Sequence, residues 1–165
     1  TLDVDLARVM EPRAAAPKLR LATIRRLRQA GIPTGVFVAP VVPGLTDHEI
    51  PAILRAAAGA GAMYAGYVML RLPFAIKDLF DDWLARHFPN RRQGVLNRLR
   101  SLRGGRLNDP EFGTRMRGQG LWAQQAQAMF ALAKRQFGLD APSPTLRTDA
   151  FGRPCDQPTL WNPVD

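Results

Sequence analysis

Two nearly continuous apolar runs constrain this chain more than any other feature: Thr34 to Gly44 (TGVFVAPVVPG) and Tyr64 to Leu72 (YAGYVMLRL). A strand with one wet face alternates apolar and polar residues. A run without that alternation, rich in β-branched and aromatic residues and closed by proline, fits a strand covered on both faces. Each run follows a helical pattern. Pro17 suits a first helical position, and Leu21, Ile24 and Leu27 recur on one face up to Gly31, with Arg20, Arg25, Arg26 and Arg28 elsewhere. Thr46, Asp47, His48 and Glu49 have the spacing of a capping box, and Ile50, Ile53, Leu54 and Ala57 form the stripe behind it. Pro51 is tolerated only in a first turn, which places the helix start at residues 47–49; Gly59 and Gly61 end it. Helix, strand, helix, strand with short connections predicts right-handed βαβ units around a parallel sheet, hence an α/β fold.

Outside that block the pattern is helical. Val4 to Glu11 reads as a short helix closed by Pro12. After Pro73, Leu79, Trp83 and Leu84 make one apolar stripe, and Val95, Leu96, Leu99 and Leu102 make a second, ended by Gly104 and Gly105. Trp122, Ala126, Met129, Phe130 and Ala133 make a third between Gly120 and Phe137. Five prolines and few apolar residues from Ala141 onward predict an irregular surface tail. The organisation is therefore residues 1–73 as the strand-bearing unit, 74–139 as a helical extension and 140–165 as the tail.

At 165 residues the chain is the size of one compact domain, or of part of a larger one. Thr1-Leu2-Asp3 reads like the tail of a strand entering a loop, as though cut from something longer. No apolar run approaches the roughly 18 residues of a spanning helix, so no membrane contact is expected. Asp3, Asp5 and Glu11 stand where a leader would be charged and then apolar, and the expected setting is cytoplasmic. A single cysteine, Cys155, rules out an internal disulfide framework and any cysteine-built zinc or iron–sulfur site contained in this chain.

Charge is the unusual quantity: 20 Arg and 3 Lys against 14 acids give +9. Such a field attracts polyanions, because neutralised phosphates release counterions. An Arg-rich, Lys-poor chain with many Ala, Gly and Pro arises equally from GC-rich coding sequence. Arg86, Arg91, Arg92, Arg98, Arg100, Arg103, Arg106, Arg115 and Arg117 fall within 32 residues whose acids are Asp109 and Glu111. They read either as a phosphate-binding stripe or as a solvated face whose guanidinium stems cover apolar surface. Only Phe88 and Phe112 interleave with them, which does not support base stacking on single strands.

His48 and His87 are 39 residues apart, without cysteines or paired acids at ligand spacing; solvated or capping roles are expected, not a metal site. A nucleophile elbow, a P-loop and a glycine-rich dinucleotide fingerprint are all absent. What remains is Ala39 to Asp47, a strand's carboxyl end turning through glycine into a helix. In parallel α/β sheets ligands bind at that end, where loops gather and helix amino termini point inward. The plainer alternative is a strand-to-helix turn in which proline and glycine only set the backbone.

Leu2-Asp3, Met10 to Ala14 (MEPRA), Ala30 to Pro33 and Ala39 to Ile50 together resemble the later barrel half of radical S-adenosylmethionine proteins. The nearest likeness is to the spore photoproduct lyase-like branch, described as DNA repair photolyase-type. Gly66 to Pro73, Lys77 to Phe80, Trp83-Leu84 and Gly113 to Gly118 extend the likeness over residues 1–137. The resemblance implies the C-terminal half of a partial (β/α)6 TIM-type barrel, its fifth and sixth strands, followed by an α-helical extension. It also implies S-adenosylmethionine as cofactor and a [4Fe–4S] cluster on a C-x3-C-x2-C loop that this chain does not contain.

In the family, a fifth-strand motif G-x-I-x-G-x-x-E packs against the cofactor's adenine. Laid on this sequence, Pro40 replaces the first glycine, Val42 takes the isoleucine position, Gly44 matches and Asp47 replaces the glutamate. By that likeness Val42, Pro43 and Gly44, with Leu70 and Arg71 at the end of the sixth strand, line the adenine or substrate side. Arg13 and Arg71 are candidates for contacts to an anion, the cofactor carboxylate or a substrate phosphate. The implied partners are the missing N-terminal barrel half and a nucleic-acid substrate. Two competing readings are a non-catalytic basic module that binds nucleic acid or a protein through its helices, and a barrel half retained as an interaction scaffold.

Overall fold

A computed structural model of the chain describes residues 1–142, 144–145 and 149. Its elements are α1 (Val4–Met10), α2 (Pro17–Gln29), β1 (Gly35–Val41), α3 (Ile50–Gly59), β2 (Tyr64–Met69), α4 (Ile76–His87), α5 (Pro89–Leu102) and α6 (Gly120–Gln136). The expected tail at 140–165 lies almost wholly outside the described residues, as does Cys155. β1 and β2 pair in parallel, Gly35 opposite Tyr64 and Val38 opposite Tyr67, with α3 as the crossover. The fold is α/β, built on one βαβ unit.

Local chemistry accounts for the element ends. The Asp3 carboxylate accepts from the Asp5 and Leu6 N–H groups and caps α1. Pro17 and Pro51 sit in first turns, where their missing N–H costs nothing. The capping box does not form. A 3-10 turn, Asp47–Glu49, intervenes before α3, so the Thr46 hydroxyl faces back toward the strand and accepts from Val42 N–H at 2.9 Å. The Glu49 carboxylate instead accepts from the Thr1 hydroxyl at 2.7 Å and from Leu2 N–H at 2.6 Å. β2 also ends at Met69 instead of Leu72. The register slips between Val38 and Val41, and the Met69 N–H is taken by the Met116 carbonyl at 2.9 Å.

Two cores form. In the larger, Val38, Val41, Tyr67 and Met69 from one face of the sheet meet Ile50 and Leu54 of α3 and Ala126 and Phe130 of α6, with the Tyr67 and Phe130 rings 4.6 Å apart. In the second, Leu6, Val42, Leu45 and Leu72 meet Leu84 of α4 and Val95 and Leu99 of α5. Both cores cross the boundary at residue 73, so the helices that follow complete the packing of the strand-bearing unit.

The expectation that the strands are covered on both faces is corrected. On the face of β1 away from α3 and α6, Phe37 is 66% exposed, and Ala39 and Pro40 are exposed as well. Among the described residues β1 pairs with β2 alone, which leaves its other edge free. Gly66 lies opposite Phe37, and a Cβ there would stand 2.5 Å from the Phe37 ring, which would have to turn away. Two helical stripes are also rotated from expectation. Leu79 is exposed, while Leu84 alone of α4 is fully buried, and Ala123 rather than Trp122 faces the core.

Candidate functional site

The carboxyl ends of the two strands are joined directly. The Leu70 N–H donates to the Val41 carbonyl at 2.9 Å, so the Val42–Gly44 turn and the Leu70–Arg71 segment leave the sheet side by side. The structure therefore brings these five sequence-identified residues to one corner. Their exposures differ. Val42 is 1% exposed, enclosed in the second core, and Pro43 is buried. Gly44 has φ +80°, and the Arg98 guanidinium lies where its Cβ would be, with Nη1 1.9 Å from that position. Only glycine satisfies both the left-handed backbone and the close approach of Arg98.

Arg71 and Arg103 flank the end of β2 with different roles. Arg103 is 4% exposed; its Nη1 donates to the Arg115 carbonyl at 2.7 Å and the Thr114 carbonyl at 3.3 Å, and its Nη2 to the Leu70 carbonyl at 2.9 Å. Burial holds its pKa below the ordinary guanidinium value, opposed by the Asp109 charge and reinforced by that of Arg71. Asp109 in turn accepts from Glu111 N–H at 2.9 Å and the Thr114 hydroxyl at 2.8 Å, which hold its carboxyl below the usual range. This network clamps the Gly113–Gly118 loop onto the end of β2. Arg71 is half-buried, its Nε is buried without a partner among the described residues, and its Nη1 lies 4.0 Å from the Met116 sulfur. It is a cation with spare hydrogen-bonding capacity at the mouth of the strands. Arg13 is exposed in the turn between α1 and α2 and lines neither of the cavities that adjoin the corner.

The arginines of residues 86–117 do not form one stripe. Arg92 makes a bidentate pair with Asp81 at 2.5 and 2.7 Å, and Arg103 is buried. Arg98, Arg115 and Arg117 lie over the Trp122, Phe112 and Tyr67 rings at 4.7, 4.7 and 4.0 Å. These three guanidinium groups pack against aromatic rings.

Two groupings escaped the sequence. His48 and His87 line one cavity of about 610 Å³ with Asp3, Asp5, Glu49 and Arg91; the turn after β1 and the α4–α5 junction bring them together, and no sequence spacing signals it. Among the described residues no group of three His, Cys, Asp or Glu side chains could hold a metal ion. Trp122, five residues past the last arginine of the run, reaches Arg98 because α5 packs against α6. Tested against an adenosine ligand, the corner fits in part. Leu70 and Arg71 offer apolar surface and charge, whereas Arg98 covers Gly44 and the enclosed Val42 side chain presents no surface for a ring.

No helix among the described residues is long and apolar enough to cross a membrane. No family model matches the chain, and no solved structure matches it significantly. Over 102 residues it is 36% identical to an uncharacterized protein of Mycobacterium tuberculosis, an alignment covering 61% of this chain and 29% of that protein, and equally to one of Mycobacterium bovis. A 43-residue stretch is 44% identical to an uncharacterized protein of Acidianus two-tailed virus, covering 26% of this chain and 14% of the viral one. The chain thus spans under a third of the length of the curated relatives it matches.

Proposed function

We propose that this chain is one part of a cytoplasmic radical S-adenosylmethionine enzyme of the lyase-like, DNA-repair type. β1 and β2 are the fifth and sixth strands of a (β/α)6 barrel and α4–α6 its helical extension. The observation that carries the reading is the open side of the sheet. Parallel strands occur with both faces covered, yet among the described residues nothing covers the apolar face bearing Phe37 or pairs with one edge of β1. Further strands of a barrel would cover both. The greater length of the relatives leaves room for such strands and for a C-x3-C-x2-C loop.

When bound with its reduced cluster, the cofactor supplies a carbon radical that abstracts hydrogen. This chain's residues bind and shield. Leu70 offers apolar contact and Arg71 holds a carboxylate or phosphate, while Gly44 takes the left-handed turn and admits the Arg98 guanidinium to the corner. The apolar sheet face keeps water from the reacting centre. Arg13 is assigned to the substrate, and the charge of +9 supports a nucleic acid in that role.

The test is the longer protein, purified anaerobically. Three cysteines at C-x3-C-x2-C, iron–sulfur absorption and deoxyadenosine released on reduction with S-adenosylmethionine are expected, with cofactor affinity falling in Arg71→Ala. Lack of that cysteine motif overturns the enzyme reading. The same +9 favours a second reading, a basic module without chemistry. Under it, a protein without that cysteine motif binds duplex DNA with an affinity that falls steeply with salt; a flat salt dependence dismisses it.

A further inference from the structure

Next to the Gly44 corner lies a cavity of about 270 Å³. Pro43 and Asp47 from the turn after β1, Met69 from the end of β2, and Trp122, Gln125 and Met129 from α6 line it. The α6 residues recur at helical spacing, so one stripe of that helix forms a wall opposite the strand ends. Trp122 is 38% exposed, and the Arg98 guanidinium sits 4.7 Å from its ring centroid. One oxygen of the Asp47 carboxylate accepts from His48 N–H at 3.1 Å, which leaves the other as a pure acceptor.

An aromatic wall, an apolar floor, one carboxylate acceptor and one carboxamide define the ligand's chemistry. A hydrocarbon ligand would bury the Asp47 charge without a partner, and a bare phosphate would face it with like charge. A flat heteroaromatic ring with an exocyclic amine meets every group: its face stacks on Trp122, its amine donates to Asp47, and Gln125 can both donate and accept at its edge. We propose that this cavity receives one unpaired nucleobase of a nucleic-acid strand, with Arg98 and the net charge of +9 favouring the phosphates on either side. The proposal deepens the nucleic-acid reading of the substrate by giving it a base-recognising subsite.

The experiment uses the full chain without cluster, cofactor or reductant, so a negative result leaves the radical reading standing, and an inactive longer protein leaves this cavity untouched. The probe is a short single strand carrying one 2-aminopurine, beside the same strand with an abasic site and the free 2-aminopurine nucleoside. Saturable quenching is expected, with the abasic strand bound at least tenfold more weakly. Trp122→Leu should weaken binding roughly ten- to hundredfold, the range for loss of one base–aromatic stack. Asp47→Asn should narrow the preference for amine-bearing bases over uracil. Equal affinity for the abasic strand, or binding of the nucleoside but not of the strand, overturns the proposal. So does unchanged quenching in a Trp122→Leu protein whose circular dichroism matches the parent. If that variant does not fold, the abasic strand and Asp47→Asn still decide.

Discussion

Arg103 shows most sharply how one residue type takes opposite roles. Its guanidinium is buried and donates to three carbonyls, whereas Arg92 pairs with Asp81 at the surface. Removing a buried charged donor strands its acceptors, so Arg103→Met should lose on the order of 3 kcal/mol, read from the urea midpoint. Arg103→Lys should recover only part, because an ammonium lacks the planar fork. Arg92→Ala should lower the midpoint only slightly and make it less sensitive to pH below about 4, because the pair it breaks with Asp81 is exposed to solvent. Gly44→Ala forces a left-handed backbone on a residue with a Cβ and displaces Arg98, which should destabilise by about 1–2 kcal/mol. The carboxyls of Asp81 and Asp109 are depressed, the first chiefly by the hydrogen bond from Arg92, the second by those from Glu111 N–H and the Thr114 hydroxyl. A depressed carboxyl contributes stability that is whole above its unfolded value of about 4 and is lost as pH falls through the folded value. Urea midpoints should therefore be flat from pH 7 to 5 and decline below about pH 4, less steeply in Asp109→Asn. None of these distinctions is legible in the chain, where Arg103 is one arginine among nine between residues 86 and 117.

At the scale of elements, periodicity found the helices and both strands, and its errors share one cause. A stripe of apolar residues gives a helix a buried side but not the partner that defines its centre. α5 was read correctly because Val95, Leu96, Leu99 and Leu102 have no competitor on that helix. On α6 the short side chains of Ala123 and Ala126 let α3 approach, and Trp122 is turned toward the strand ends. Phe130 carries that contact with Tyr67, and Phe130→Ala should cost about 3–5 kcal/mol by calorimetry. The capping box failed similarly: its four residues are present, but Thr1 and Leu2, distant in sequence, claimed Glu49. Its replacement by Gln weakens a bond from outside the helix; Glu49→Gln should therefore loosen residues 1–3, seen as faster amide exchange at Leu2, with α3 protection unchanged.

The whole molecule has a finished side and an open one. Helices α3 and α6 close one face of the sheet; among the described residues the other presents Phe37 and an unpaired strand edge, a template for pairing with another chain. Expressed as these 165 residues, the protein should self-associate with concentration in sedimentation velocity, and Phe37→Lys should reduce it. A monomer with a cooperative melt at high temperature contradicts this and the barrel reading with it. The sequence alone determined the order of elements, the parallel pairing and the corner at residues 42–44, because apolar period, proline and glycine act on neighbours along the chain. Only the tertiary structure decided that Val42 is enclosed, that Arg103 is a clamp and that Trp122 meets Arg98 beside the strand ends. Those outcomes depend on which helix lies against which, and packing joins residues whose separation in sequence carries no signal.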